Sequence, residues 1–410
     1  MLVSDANRLY LGRILRWRTS RLLLLLFCLI NVLDVLRVHH RLAHGHRRSQ
    51  PGPSRPHERV YIASMHFNNG HVLRNHWNDA VVRLTEAFGP RNVFVSIYES
   101  GSWDDSKEVL RGLAAELERR DVPHRVDISD VTHHDEMTRE DKGDGWIDTP
   151  RNKKELRRIP YLARLRNKTI KDLLELHDKG VTFDKVLFLN DVIFTTEDVL
   201  TLMDTNGGDY AAACSLDFSK PPRFYDTFAL RDMEGKSHAM QTWPYFKARA
   251  SRNALVNNMD AVPVTSCWNG IVVMPAEPFV SSTQLRFRGI PDSLALHHLE
   301  GSECCLIHAD NPLSQTLGVY VNPRVRVGYN LPAYEATHPA GGGAWVSPRD
   351  IFWGLWVNRI KRWTVFTFEG IVVRRRVARW ERERAGNHEP GVFCLINEMQ
   401  VLVDNGWAHV

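Results

Sequence analysis

The sequence has too few cysteines to be held together by disulfides. It contains 6 Cys in 410 residues, and no two of them have the C-x-x-C spacing that is typical of zinc sites. The fold must therefore rest on its own hydrophobic core, which a content of 43% hydrophobic and 25% charged residues can supply. This composition excludes disorder, collagen and a coiled-coil rod as the main state. One or two disulfides remain compatible with a lumenal compartment.

The chain also has little excess of either charge. The 53 Lys and Arg residues exceed the 48 Asp and Glu residues by only five, and the excess lies at the two ends of the chain. Nucleic acid is therefore not expected as a partner. There is no G-x-G-x-x-G after the first predicted strand and no G-x-x-x-x-G-K-S/T anywhere, so neither a dinucleotide-binding fold nor a P-loop is predicted.

Long apolar runs are absent except near the N-terminus. Residues 22–36, LLLLLFCLINVLDVL, follow a stretch with several arginines, although they are fewer than the roughly 20 residues of a full membrane span. We interpret this run as a signal anchor, with residues 1–21 as a cytoplasmic tail and the bulk of the chain in the lumen. A cleaved signal peptide and a buried or interfacial helix are the alternatives. Residues 37–58, rich in His, Arg, Pro and Gly, are predicted to be a disordered stem.

From residue 59 onward, strand-like and helix-like patterns alternate. Repeated units of this kind predict an α/β fold with a doubly wound, mostly parallel sheet and helices on both faces. The predicted strands are 59–65, 92–98, 124–129, 185–191 and 209–215, and the predicted helices are 76–88, 102–120, 160–178 and 195–204.

Such sheets bind ligands beyond the carboxyl ends of their strands, so the residues that follow each strand are candidates for a site. Asn68 and Asn69 follow the first strand and Glu99 follows the second. Asn190 and Asp191 end the strand KVLFLND, and their oxygen atoms suit Mg²⁺ or Mn²⁺. The alternative for Asp191 is a turn former or a helix cap.

Several basic residues lie in and before the helix that precedes this strand. Arg157, Arg164 and Arg166 could bind the phosphates of a nucleotide diphosphate, because the guanidinium matches phosphate oxygens. The alternative is a solvated basic face. Asn167 begins an N-glycosylation triplet, which we expect to be unmodified if it faces the cleft.

Two later segments carry further candidates. Trp268, followed by Asn269 and Gly270, could stack on a sugar ring, or it could be a buried tryptophan beside a glycine bulge. The segment GSECCLIHAD offers Glu303 and His308, which are either structural or, together with an upstream metal site, a catalytic carboxylate and a third ligand. Its adjacent Cys304 and Cys305 are expected to be buried hydrophobic residues.

Taken in order, these segments resemble the fungal cryptococcal mannosyltransferase family, which includes capsule-associated proteins. The resemblance covers roughly residues 59–330 and rests on YIASMHFNNGHVL, RIPYLARLRN, VLFLNDVIF, the run from Asp217 through PPRFYDTFALRD, CWNG, FRGIPDSL and SECCLIHAD. It implies a GT-A-like glycosyltransferase fold in a single-pass type II Golgi membrane protein. It also implies GDP-mannose as donor, a glycan or polysaccharide acceptor, Mn²⁺ or Mg²⁺ as cofactor, and α-1,3 linkages formed with retention.

The resemblance also assigns roles by position. It implies a catalytic domain at 59–340 and leaves 341–410 as an extension of unknown role. It places Asp191 and Asn190 at the metal, with His308 as our candidate for completing the ligand set, and it makes Glu303 and Asp226 the catalytic residues. The sugar or acceptor pocket is formed by Tyr225, Arg231, Asp232, Trp268, Asn269 and Gly270. The donor-binding residues, predicted from the strand ends and the basic helix, are Asn68, Asn69, Glu99, Arg157, Arg164, Arg166 and Asn167. Glu303 is expected to face the acceptor. A metal-dependent nucleotide-sugar hydrolase and a non-catalytic glycan-handling protein are the competing hypotheses.

Overall fold

The computed structural model describes residues 5–44, 58–365, 368–404 and 406–410, with side chains in the first range from residue 17 onward. The strands are β1 Val60–His66, β2 Val93–Glu99, β3 His124–Ile128, β4 Trp146–Asp148, β5 Lys154–Leu156, β6 Lys185–Leu189, β7 Ala212–Lys220, β8 Arg223–Phe224, β9 Arg231–Asp232, β10 Val262–Ser266, β11 Ile271–Pro275, β12 Glu300–Gly301, β13 Val319–Gly328, β14 Leu395–Ile396, β15 Gln400–Val403 and β16 Gly406–His409.

The helices surround this sheet and extend from both ends of the domain. They are α1 Asp5–His44, α2 Gly70–Val72, α3 Asn78–Phe88, α4 Ser106–Arg119, α5 His133–Thr138, α6 Arg158–Thr169, α7 Lys171–Asp178, α8 Thr196–Met203, α9 Arg249–Val256, α10 Glu277–Val280, α11 Asp292–Ala295, α12 Glu303–Asp310, α13 Leu331–Thr337, α14 Pro348–Thr364 and α15 Glu369–Glu383. A π-helical turn, Leu73–Trp77, joins α2 to α3.

Ten strands form one mixed sheet, with the order β3-β2-β1-β6-β11-β7-β13-β10-β9 and with β8 paired to β7. The half from β3 to β6 is parallel, as the alternating pattern predicts. The other half departs from it, because β11 enters antiparallel between β6 and β7, and β10 lies antiparallel to β13. These two reversed strands come from the region after residue 260, for which the sequence pattern predicts no strand.

Both faces of the sheet are buried, because successive side chains of a strand point to opposite faces. On one face Ile62 packs with Trp77 and Leu202 under α3, α4 and α8. On the other face Tyr61 belongs to the larger cluster that contains Phe188 and the helices around α6 and α7. The strand ends are thereby held on a rigid support.

Two predicted helix starts have different outcomes. Thr195 caps α8 in a reciprocal capping box with Asp198, which confirms the predicted start. Ser102 does not cap α4, which begins four residues later after Asp105. The Ser102 hydroxyl instead accepts a hydrogen bond from the backbone N–H of Asn68 at 2.9 Å. The predicted helix 160–178 is divided into α6 and α7 at Ile170.

The C-terminal residues are built into the body of the domain. A disulfide joins Cys305 of α12 to Cys394, 89 residues further along the chain, and β14 pairs with β12. The expectation that Cys305 is only a buried hydrophobic residue is thus wrong, whereas Cys304 is a buried free thiol. A second disulfide joins Cys214 to Cys267. The segment 341–410 is therefore not a separate appendage.

The N-terminal helix α1 is longer than the apolar run inside it. Its stretch Trp17–His44 has a mean hydropathy of 2.1 in its most apolar window and is long and apolar enough to cross a membrane, by length and composition only. The first part of the predicted stem is helical, because α1 continues to His44. Val38 and Leu42 in this part are buried in the core of the body. Residues 45–57 of the predicted stem, and residues 1–4, lie outside the described residues.

Candidate active site

Polar residues from several strands meet at one edge of the sheet. Ile271 of β11 lies opposite Leu189 of β6, and Val327 of β13 lies opposite Asp217 of β7. This register brings the turn after β6, the residues before β11 and the end of β7 to one edge. Several of the candidate residues named from the strand ends therefore lie at one edge of the sheet.

The Asn190 turn is held by backbone and indole contacts. Its N–H donates to the Gly270 carbonyl at 2.9 Å, and its carbonyl accepts from the Trp77 indole at 2.9 Å. Its side-chain oxygen accepts from the Trp268 indole at 3.2 Å. These bonds fix the direction in which the next residue, Asp191, leaves the strand.

Asp191 is a half-buried carboxylate at this edge. Burial raises the pKa of Asp191, and this effect is opposed by hydrogen bonds from its own backbone and from the Asn69 side chain and by the positive charge of Arg166. Asn69 Oδ1 is buried and has no hydrogen-bond partner among the described residues. An acid and an unpaired amide oxygen thus lie close together.

Asp217 is a central residue of the site that the assigned roles omit. Its carboxylate is fully buried, accepts from Asn269 Nδ2 at 2.9 Å and from the Asp226 backbone N–H at 3.1 Å, and lies 3.3 Å from the Tyr329 hydroxyl. Burial and then the charge of Asp226 raise the pKa of Asp217 to about 7. The available signal was its position at the start of the motif that runs through PPRFYDTFALRD.

Asp226 lies beside it and remains half-buried. Its carboxylate accepts from the backbone N–H groups of Phe228 and Ala229, at 2.9 and 3.0 Å. Burial raises the pKa of Asp226, against these two hydrogen bonds, and the nearby Glu303 adds to the increase while Arg166 opposes it. Asp217, Asp226 and Glu303 therefore form an acidic group, with the Arg166 guanidinium beside it.

That arginine is held by Glu303. Arg166 Nε donates to Glu303 Oε1 at 2.9 Å, and the two side chains are only 14% and 4% exposed. The guanidinium lies 4.6 Å from the centre of the Trp268 ring. Glu303, expected to face an acceptor, is in this structure the buried partner of Arg166.

The tryptophan segment follows the structural alternative. Trp268 is 2% exposed and packs against Phe188 and Phe287, with ring centres 5.2 and 5.5 Å away. Gly270 has φ +92, and a Cβ there would lie 2.5 Å from Val327 Cγ2. The positive φ and the close packing together explain why this residue is a glycine. The exposed aromatic ring at this edge is Tyr225, which lies 4.6 Å from Tyr329.

His308 is not placed as a metal ligand, which corrects that prediction. Its Nε2 is 2.7 Å from the Cys267 carbonyl, and burial lowers the pKa of the ring to about 4. One of its nitrogens lies within 4.8 Å of the sulfurs of Cys214 and Cys267, but these two form a disulfide. Within the described ranges, no other group of three His, Cys, Asp or Glu residues has its ligand atoms this close.

The predicted donor-binding residues just before α6 and within it have different surroundings. Arg157 is fully buried and forms ion pairs with Glu300 and Asp292, both at 2.7 Å. Arg164 is exposed and lies 3.7 Å from Glu136. Asn167 pairs through its amide with both backbone groups of Phe287. Of the four, only Arg166 reaches the acidic group.

Two residues predicted for the sugar pocket act within the fold instead. Arg231 is 3% exposed and donates to the carbonyls of Phe393 and Cys394, at 2.9 and 3.1 Å. Asp232 is fully buried and accepts from the backbone N–H groups of Lys236 and Ala248. Arg231 therefore connects the site region to the C-terminal segment, while Asp232 orders the loop that follows it.

The residues at the ends of β1 and β2 are connected to the loop after β2 by hydrogen bonds. Asn68 has φ +50, and its side-chain oxygen accepts from the Trp103 N–H at 2.8 Å. Glu99 is fully buried and accepts from the Ser102 N–H through one oxygen, while its other oxygen has no hydrogen-bond partner within the described part of the chain. These contacts form a polar wall next to Asn69.

Comparison with protein families places the chain in one of them. A family model described as Cryptococcal mannosyltransferase 1 matches residues 59–310, which is more than half of the chain. The chain belongs to this family. No curated protein matches the sequence at a significant level.

Solved structures give more distant similarities. A mannosyltransferase from Pyrobaculum calidifontis, PcManGT, in complex with GDP-Man and Mn²⁺, has 11% identity, with 88% of this chain and 86% of that chain covered and a TM-score of 0.34. Glucosyl-3-phosphoglycerate synthase from Mycobacterium tuberculosis has 13% identity, coverages of 67% and 72% and a TM-score of 0.33. TarS from S. aureus in complex with UDP has 10% identity, coverages of 79% and 71% and a TM-score of 0.34. At these scores the similarities specify neither a donor nor a metal.

Proposed function

We propose that this protein is a GT-A-like, divalent-cation-dependent glycosyltransferase that moves mannose from GDP-mannose to a glycan acceptor. Family membership supports mannosyl transfer. The observation that carries the site assignment is the half-buried Asp191 carboxylate just beyond β6, which receives a hydrogen bond from Asn69 and whose pKa is raised by burial, an effect that the positive charge of the buried Arg166 guanidinium opposes. A carboxylate and an arginine together provide what binding of a metal-bound diphosphate requires.

Asp191 and the buried oxygen of Asn69 fit a hard divalent cation, because Mg²⁺ and Mn²⁺ prefer oxygen ligands. Mg²⁺ usually keeps waters and shares substrate phosphates, so one protein carboxylate can suffice. When bound there, the cation would neutralise charge on the donor diphosphate. Asn190 has its side-chain oxygen occupied by Trp268, so we assign it to shaping the turn rather than to the metal.

Arg166 is assigned to the leaving diphosphate, where a preorganised positive charge stabilises developing negative charge. Glu303 fixes the direction of this guanidinium, so we assign it a positioning role in place of the acceptor-facing role that the resemblance implies. The acceptor-facing carboxylate is then Asp226, which keeps partial exposure. The exposed ring of Tyr225 lies next to it and offers an apolar face to a sugar.

The α-1,3 linkage, retention at the transferred sugar and a lumenal Golgi location are further parts of this proposal. They rest on the family resemblance, together with α1 as a type II signal anchor. Residues 58–404 would then carry out the chemistry on the lumenal side.

A donor panel tests the proposal. The full-length protein in detergent or nanodiscs is incubated with GDP-mannose, UDP-glucose or GDP-fucose, with and without Mn²⁺ and a mannan acceptor, and nucleotide release is measured. We expect Mn²⁺-dependent release from GDP-mannose that requires the acceptor, with the linkage then read by NMR. Equal release without acceptor would indicate the hydrolase, and acceptor binding without any turnover would indicate the non-catalytic protein.

A further inference from the structure

Helix α14 exposes large apolar side chains on one face. Trp353, Ile360 and Trp363 are 56%, 50% and 64% exposed. Their spacing of seven and three residues puts them on the same side of the helix. The apolar surface continues beyond α14 with Val365, Phe368 and Ile371, all exposed. A patch of this kind on a folded domain marks an interaction surface.

The same helix packs along the candidate anchor. The Trp356 indole donates to Asn31 Oδ1 at 2.7 Å, and its ring lies 5.5 Å from that of Phe27. Arg359 lies 3.6 Å from Asp34. Asn31 and Asp34 are the polar residues that interrupt the apolar run 22–36, so α14 pairs with the two positions of the run that are most costly to place in lipid.

Because Phe27 lies well inside the apolar run, a bilayer that surrounds this run must also reach α14. The exposed side chains Leu22 to Leu26 of α1 are 52% to 66% exposed, so the two helices form one continuous apolar surface. Basic residues accompany it. Residues 348–379 contain eight Lys or Arg against two Asp or Glu, and Arg349, Lys361, Arg374 and Arg375 are exposed.

We propose that α14 is a second membrane-contacting element, whose Trp353, Ile360 and Trp363 face enters a phospholipid bilayer beside α1. Tryptophans are typical of the membrane interface, and the long adjacent basic side chains can extend to the lipid phosphates there. The inference rests on the proposal that α1 is a membrane anchor. It adds that the domain is held rigidly against the membrane, because Val38 and Leu42 at the end of α1 are part of the core of the body.

The segment that links α1 to β1 does not offer an alternative cover for this face. Residues 45–57, GHRRSQPGPSRPH, contain no aliphatic side chain larger than proline and no Phe, Trp or Tyr. A second copy of the chain is the remaining competing occupant, and the experiment below distinguishes it from lipid.

The experiment uses the full chain, with Cys28→Ser to remove the exposed thiol. Single cysteines at Trp353, Trp363, Leu25 and Trp103 are labelled with the fluorophore NBD, one at a time. Trp103 is the matched control, since it is an exposed tryptophan, 48% exposed, on the loop after β2. Each protein is reconstituted into phosphatidylcholine vesicles containing phosphatidylserine, and quenching by doxyl-labelled lipids is compared with quenching by aqueous iodide. Melting curves and an intact Cys305–Cys394 disulfide confirm that each variant is folded.

We expect loss of fluorescence with doxyl lipids at positions 25, 353 and 363, and loss with iodide only at position 103. Doxyl quenching at 25 together with iodide quenching at 353 and 363 would overturn the inference while the anchor proposal stands. Iodide quenching at 25 would overturn both. If positions 353 and 363 become accessible to iodide when the protein is diluted in lipid, a second copy of the chain covers this face of α14. The inference would then be wrong.

Discussion

The Asp217 carboxylate accepts a hydrogen bond from the backbone N–H of Asp226 at 3.1 Å, which brings an acidic residue of β7 and one from the loop after β8 together at the sheet edge. Asn269 reinforces the arrangement, because its Nδ2 donates to the Asp217 carboxylate at 2.9 Å and to the Asp226 carbonyl at 3.1 Å. Asp217 is fully buried, whereas Asp226 is reachable from solvent. Asp217 therefore shapes the loop that presents Asp226.

The first prediction concerns the pH dependence of stability through Asp217. Burial raises its folded-state pKa from 3.8 to about 7, so between these values the folded protein holds a proton that the unfolded chain has lost. The contribution of this group to the free energy of unfolding is complete below pH 3.8 and is lost as pH rises through about 7. Asp217→Asn should remove this slope, which is on the order of a few kcal/mol across the window.

Urea denaturation at several pH values between about 4 and 8 measures this effect. Asp130→Asn is the matched control, because the Asp130 side chain is 98% exposed. The control should keep the wild-type slope. A slope that is the same in Asp217→Asn and in wild type would show that Asp217 is already ionised across this range.

The second prediction concerns metal-dependent donor binding by Asp191. Asp191→Ala should abolish Mn²⁺-dependent binding of GDP-mannose, because it removes the carboxylate assigned to the cation. The melting temperature without metal should not fall, since burial disfavours the charge of this group. Calorimetry with and without Mn²⁺ checks both points. Unchanged donor affinity at saturating Mn²⁺ would refute the assignment.

The third prediction separates Glu303 from Asp226. Glu303→Gln replaces the ion pair with Arg166 by a weaker hydrogen bond from the guanidinium to a neutral amide, so the guanidinium is held less firmly. Donor affinity should then fall about tenfold, equivalent to about 1.4 kcal/mol. Asp226→Asn should leave donor affinity nearly unchanged and lower transfer on the order of a hundredfold, the usual range for loss of a general base. Donor titration and initial rates separate the two effects. If the variants show the reverse pattern, the acceptor-facing role belongs to Glu303.

The fourth prediction compares how much Arg157, which precedes α6, and Arg164, which lies within it, contribute to the free energy of unfolding. Arg157→Met leaves the buried Glu300 carboxylate without its partner, and breaking such a pair costs about 3 to 5 kcal/mol. Arg164→Met removes an exposed side chain 3.7 Å from Glu136, so this substitution should lower the free energy of unfolding by no more than about 1 kcal/mol. Denaturant melts of both variants measure the difference. Equal stability of the two would contradict the buried role of Arg157.

Local sequence patterns determined the parallel half of the sheet and the place of the site. The strand that ends at Leu189 and the apolar alternation around β1 and β2 are properties of neighbouring residues, and strand ends meet at one edge in any parallel sheet. Asp191 could be named as a candidate because it follows a strand end. The order of the motifs along the chain could indicate the family. The apolar run 22–36 could likewise be recognised from the sequence, because it consists of neighbouring residues along the chain.

Only the tertiary structure decided which side chains meet across long separations. Arg157 and Arg166 are nine residues apart on one basic segment, yet the first is paired with Glu300 in the core and the second with Glu303 at the site. No local pattern distinguishes them, because their partners lie more than 130 residues away and are set by the packing of α12 against α6. The same reason explains why His308 lies beside the Cys214–Cys267 disulfide, and why Asn31 contacts Trp356.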